Sequence, residues 1–309
     1  MVTVFLSVFA FAFFGVPHMA YAWGTGAHVD FGMTMLANSA LLAPAIRHLL
    51  ARFPRHFLYG NLAADTVLAK NLADQDQHVH NWEVAVRLFD LTHDDADKAF
   101  VYGYLSHLAA DTVAHNYFVP KKRVDSFRTI TTGHAYWELR YDSFLPEQVW
   151  GAAKDIGKQR FPQQDELLIG GLKPTILTVD TNRRIWGGIV SLSANVDRWR
   201  EFMRSHAEKS QTSFHSDERD VLRGLAVETV SGFLNEFRDS RAFRADPTGI
   251  GNLDAAWKIG GLLRKNTSKG LMDPREADQI ARQVGDRLRE GLHVERSVDL
   301  SDELRASGA

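Results

Sequence analysis

Tyr104 to Phe118 reads YLSHLAADTVAHNYF, and it restricts what this chain can become more than any other stretch. His107, Asp111 and His115 recur every four residues. Each step of four on an α-helix turns the side-chain direction by about 40°, so the three fall along one stripe. Leu105, Leu108, Ala109, Ala110, Val113 and Ala114 surround them and predict a buried helix. Two imidazoles and a carboxylate in an apolar interior are costly unless each is hydrogen-bonded or coordinated. Metal ions lying against the helix satisfy all three at once.

The chain has 309 residues, 45% of them hydrophobic, which is enough for a large core. Its net charge of −2, with acids and bases mixed, argues against life on the phosphate backbone of nucleic acid. Cysteine is absent, so any zinc is held by nitrogen and oxygen, the ligand set of catalytic sites. Residues 1–22 carry no Asp, Glu, Lys or Arg. An apolar run from Val2 to Val16 is followed there by Pro17 and then Ala20-Tyr21-Ala22. The pattern predicts a signal peptide cut between Ala22 and Trp23, although its start lacks a Lys or Arg. A secreted or periplasmic protein of residues 23–309 follows. Such a chain, without disulfides, relies on its core or on bound metal.

Helical spacing dominates the remainder, and no alternating strand pattern stands out, so the fold reads as all-α, a multi-helix single domain. Pro44 to Phe53 predicts a short amphipathic helix with Pro at its start. Asn81 is placed to cap a helix over Trp82 to Leu91. Asp94, Asp95 and Asp97 favour the start of the long striped helix, which is expected to end at Pro120. Tyr59 to Val67 reads as loop-like at first, with Asp65 where a helix could begin. Lys121 to Ile130 reads as a basic loop before a helix over Gly133 to Phe144. Pro146 to Asp180 resists assignment. Thr181 to Glu208, Asp217 to Arg238 and Asp273 to Leu292 read as amphipathic helices, and Ser297 to Ala309 as a frayed tail.

Nine of the thirteen histidines lie between His28 and His134, which places the chemistry in the first half. His134 and Glu138 form a second i, i+4 pair, on the helix after the striped one. Together the two helices offer five ligand-competent groups, enough for two metal ions and a share of a third. Cleavage before Trp23 would free an amine that chelates a metal together with the Trp23 carbonyl. The Gly24-Thr25-Gly26 spacer would let His28 join them.

The ordered set Trp23 with His28, Asp65 in GNLAADTV, His80 in HVHNW, His107-Leu-Ala-Ala-Asp111, His115, and His134-Ala-Tyr-Trp-Glu138 resembles the zinc-dependent phospholipase C family. That family shares its fold and tri-zinc site with single-strand-specific nucleases. The spelling SHLAADTVAH is similar to the catalytic domain of glycosylphosphatidylinositol-specific phospholipase D. In the secreted bacterial toxins of the family the gap from the Asp to the second His is two residues longer.

The resemblance implies three zinc ions between helices, with every ligand inside residues 23–144. One would sit on the Trp23 amine and carbonyl, His28 and Asp111. A second would sit on His80, His107 and the other Asp111 oxygen, and a third on His115, His134 and Glu138. His80 is preferred to His78 because Asn81-Trp82 follows it. Asp65 matches the family's proposed general base. The implied activity is hydrolysis of a phospholipid head-group phosphodiester by a hydroxide shared between zinc ions. Tyr117, Phe118 and Val119 beside Lys121, Lys122 and Arg123 make an edge that could touch a membrane surface transiently. An inward-packed helix end with a solvated charge run reads equally well there. A nuclease on the same scaffold, with nucleic acid as its partner, is the runner-up, and a non-catalytic zinc-binding protein is a third reading. Glu138, where the nucleases tend to use Asp, and the lack of a basic aromatic channel weigh against the nuclease.

Overall fold

The computed structural model describes residues 23–66, 79–129, 134–172, 214–292 and 298–308, with no strand among them. The fold is all-α. The first helices are α1 (Thr25–Ala37), α2 (Pro44–Arg52), α3 (Pro54–Thr66), α4 (Trp82–Asp90) and α5 (Asp95–Val113). They are followed by α6 (Val119–Asp125), α7 (His134–Asp142), α8 (Glu147–Lys158) and α9 (Pro162–Gly171). The C-terminal part contributes α10 (Ser216–Glu236), α11 (Arg241–Arg244), α12 (Ile250–Ser268), α13 (Pro274–Gly291) and α14 (Ser301–Ala306).

Two side-chain caps start the central helices as expected. Asn81 accepts the Glu83 N–H at 2.8 Å, and Asp94 accepts the Asp97 N–H at 2.9 Å. From Gly103 to Val113 every residue of α5 is buried, His107 and Asp111 included. α3 packs along it most extensively, and α10, α4 and α1 complete its surround.

The α3–α5 crossing is unusually close because two glycines meet there. A Cβ on Gly60 would lie 1.9 Å from the Phe100 carbonyl oxygen, and one on Gly103 would lie 2.0 Å from that of Phe57. No side chain fits at either position. Gly60 is therefore inside a helix, and the loop expected at its start from Tyr59 is absent. Asp65 stands near the end of α3 instead of opening a helix.

The long helix does not stop at Pro120 either. A π-helical turn, Ala114–Phe118, carries α5 straight into α6. Pro120 has no N–H to give to the carbonyl four residues back, that of Asn116. The Asn252 side chain donates to that oxygen at 3.3 Å and to Asn116 Oδ1 at 3.0 Å, which offsets the missing bond. The predicted basic loop is thus largely helix. Lys122 is buried and paired with Glu218 at 2.6 Å, Lys121 pairs with Asp125, and Arg123 lies 3.4 Å over the Trp257 ring. Tyr117, Phe118 and Val119 face the interior. The inward-packed reading holds for these aromatics, but Lys121, Lys122 and Arg123 are engaged by the protein rather than forming a solvated run.

Three further differences come from tertiary contacts. α8 and α9 fill part of the unassigned stretch after Pro146, and α12 forms where no helix was expected. The tail, expected to fray, folds as α14, where Asn266 Nδ2 donates to the Ser307 carbonyl at 2.8 Å. The helix predicted over Thr181 to Glu208 and the leader of residues 1–22 lie outside the described residues.

Replacing Gly103 by Ala is expected to lower stability by about 1–3 kcal/mol, the cost of overpacking a close contact. Equilibrium urea unfolding measures it, and an unchanged midpoint would show that the two helices can part without penalty.

Candidate metal centre

Four elements deliver the centre. α1 carries His28, the end of α3 carries Asp65, the turn before α4 carries His80, and α5 carries His107 and Asp111. All five side chains are buried. His80 is set by its neighbours: Tyr104 OH donates to the Val79 carbonyl, and Trp82 Nε1 donates to the Ala245 carbonyl at 2.8 Å. The Asn61 carbonyl accepts from His107 Nδ1 at 2.8 Å, which makes Nε2 the ligand atom once the ring is neutral. That bond exists only because the glycine crossing brings α3 onto α5.

His80 Nε2, His107 Nε2 and Asp111 Oδ2 form a triangle with edges of 3.0, 3.1 and 3.3 Å. Tetrahedral zinc at about 2.0–2.1 Å from each ligand requires edges of about 3.3 Å, so the triangle is close to one face of such a site. Asp65 Oδ1 adjoins the same imidazoles, 3.5 Å from His80 Nε2 and 3.9 Å from His107 Nε2. The other Asp111 oxygen, Oδ1, lies 3.3 Å from His28 Nε2. His28 stacks on His107 with ring centres 3.6 Å apart and planes within 14°. Two groups have ligand atoms mutually close enough to hold an ion: His28, His107 and Asp111, and Asp65, His80 and His107.

Both Asp111 oxygens and both His28 ring nitrogens are buried without a directional hydrogen bond. Leaving such atoms unsatisfied costs several kcal/mol, and cations against the Asp111 oxygens and His28 Nε2 would remove the cost at those three. The residues present therefore fit bound divalent metal. Burial pushes the His28 pKa down to about 4, helped by His107, so His28 is neutral and ready to ligate. Burial also opposes the charged form of His107, yet Asp111 and Asp65 outweigh it and carry its pKa above the ordinary 6.5. Asp111 is ionised: burial works against its charge, but His107 and His28 hold its pKa well below the usual carboxylate range.

The remaining expected residues lie outside these two groups. His115 falls in the π turn that continues α5, and its Nδ1 bonds to the Pro247 carbonyl. Asn116 Nδ2 donates at 2.8 Å to the Asp246 carbonyl, so the segment before α12 holds this turn from outside. Glu138 is buried on α7, and the His134 side chain lies outside the described residues, as does His78. Neither His115 nor Glu138 joins the two metal groups found among the described residues. Trp23 is fully buried, and its indole Nε1 donates at 2.8 Å to the carbonyl of Ala110, the residue before Asp111. Asn61 escaped the sequence reading because it acts through its backbone, which no residue type reports. Asp142, whose carboxylate bonds the first turn of α1, stands four residues after Glu138 on the same helix and was open to the same spacing argument.

The family model described as zinc dependent phospholipase C matches residues 27–178, a stretch that includes every expected ligand except Trp23. Residues 27–178 thus carry the domain of the zinc-dependent phospholipase C family. No curated protein and no solved structure matches the chain.

Zinc uptake is expected to release a proton from His107, because the cation and the imidazolium proton compete for Nε2. Apparent zinc affinity should fall as pH drops below the raised His107 pKa, by about tenfold per pH unit for one proton. Titration of metal-free protein at several pH values tests this, and a pH-independent affinity below neutrality would contradict it.

Proposed function

We propose that this chain is a secreted zinc-dependent phosphodiesterase of phospholipase C type, hydrolysing the head-group phosphodiester of a phospholipid. One observation carries the reading: the buried Asp111 carboxylate turns one oxygen to His28 and the other to the His80–His107 pair. That is the arrangement needed to bridge two cations. Zinc, when bound, supplies Lewis acidity toward a phosphoryl oxygen and brings the pKa of its water to about 7.

Asp65 directs Oδ1 at the His80–His107 pair, where its carboxylate would accept a proton from the attacking water. His107, locked by Asn61, and Asp111 hold the positions of the cations. His115, His134 and Glu138 would hold a third zinc, and after cleavage at Ala22 the Trp23 amine and carbonyl would join the ligands of the first. The helices beyond residue 144 act with the ligand-bearing part as one unit, since residues 246–252 grip the turn that carries His115.

A nuclease on this scaffold is the second reading, favoured by the four-residue gap between Trp23 and His28. Assays of residues 23–309 on phosphatidylcholine and on single-stranded DNA in parallel decide between them. Release of phosphocholine supports the phospholipase, and hydrolysis of DNA alone overturns it. Asp65→Asn is expected to lower kcat by about 10²–10⁴-fold with zinc content unchanged if the residue serves as base. Loss of a zinc ion in that variant would make it a ligand instead. An extra Met-Ala ahead of Trp23 should remove the amine ligand and most activity, and full activity with the extension would falsify N-terminal ligation.

A further inference from the structure

Asp142 belongs to neither metal group, yet it controls the segment that brings His28 to the centre. Gly24 occupies the N-cap position of α1 and has no side chain with which to cap it. Asp142, at the end of α7, does so from a distant part of the chain. Its Oδ1 accepts the Ala27 N–H at 3.0 Å and its Oδ2 accepts the Gly26 N–H at 3.1 Å. The Gly26 N–H is one of those that an α-helix start leaves without an intrahelical partner, the Ala27 N–H is shared with the Gly24 carbonyl at 3.0 Å, and a carboxylate there also complements the helix dipole. The fit is tight: a Cβ on Gly24 would lie 2.2 Å from Asp142 Oδ2. His28 is the next residue after this clamp.

Trp23, just before it, is seated by the same region of the protein. Its ring stacks on Phe118 with centroids 5.1 Å apart and meets Tyr141, the neighbour of Asp142, edge-on at 4.6 Å. Its Nε1 donates to the Ala110 carbonyl. Residues 23–28 are thus held at three points: the indole by α5 and α7, the backbone of Gly26 and Ala27 by Asp142, and His28 against Asp111. Burial pushes the Asp142 pKa up to about 7 despite both N–H bonds, so this carboxylate is kept where its charge is disfavoured.

We propose that Asp142 is a positioning residue of the metal centre, seating residues 23–28 so that His28 is fixed against Asp111. The proposal deepens the zinc reading and rests on it. A purely structural cap would stabilise α1 without altering how the folded protein holds zinc, so the test measures zinc affinity directly.

Residues 23–309 are titrated with zinc against a chromophoric chelator, at a temperature where circular dichroism shows each variant folded. Asp142→Asn is expected to weaken the affinity of one zinc by about 10–100-fold, the usual effect of losing an outer partner of a ligand. Gly24→Ala, which pushes the carboxylate aside, should do the same. In an Asp142→Ala background Gly24→Ala should add nothing, because the clash has gone. Unchanged zinc affinity in folded Asp142→Asn, even with a lowered Tm, overturns the proposal. Should Asp142→Asn not fold, Gly24→Ala carries the same expectation. Failure of both to fold also overturns it, since the cap is then a condition of the fold rather than of the centre. Absence of zinc from the parent protein refutes the zinc reading itself, whereas zinc without diester hydrolysis refutes only the phospholipase activity.

Discussion

α3 and α5 touch backbone to backbone at Gly60 and Gly103, and the rest of the centre depends on that contact. With any side chain between them the helices would stand further apart. Asn61 could then not reach His107 with its carbonyl, and Asp65 could not approach the two imidazoles. The glycines cost helix propensity, about 1 kcal/mol each relative to alanine. What they permit is a carbonyl acting as a fixed acceptor inside the core, which sets the direction of a ring nitrogen without adding another charge.

Around that crossing the charge distribution is organised by Asp111. An ionised carboxylate buried without directional hydrogen bonds is tolerable only where positive charge compensates it. In the metal-free centre His107 contributes that charge: Asp111 and Asp65 raise its pKa against burial, while burial, with His107 second, lowers that of its stacking neighbour His28. Divalent cations would do the same more completely and would let both imidazoles be neutral. The centre is therefore built to exchange a proton for metal.

Much of this was legible in the sequence, and the reasons are local. His107 and Asp111 announced themselves because two polar side chains one turn apart in an apolar helix need a common partner. The N-caps at Asn81 and Asp94 could be read because capping depends on a few adjacent residues. The π turn at Ala114–Phe118 could not, since it is sustained by the missing N–H of Pro120 together with Asn252 from more than a hundred residues away. The same holds for Lys121 and Lys122. Their charges read as solvent-facing loop until Asp125 and Glu218 are seen beside them. Gly60 misled for a related reason: a glycine in a helical run signals either a break or a close approach, and only the partner helix tells which.

Zinc-edge anomalous scattering from crystals of residues 23–309 tests the central claim most directly. One peak is expected within about 2.0–2.1 Å of His80, His107 and Asp111, and another against His28 and the second Asp111 oxygen. Zinc bound only elsewhere, with Asp111 satisfied by ordered water, would contradict it.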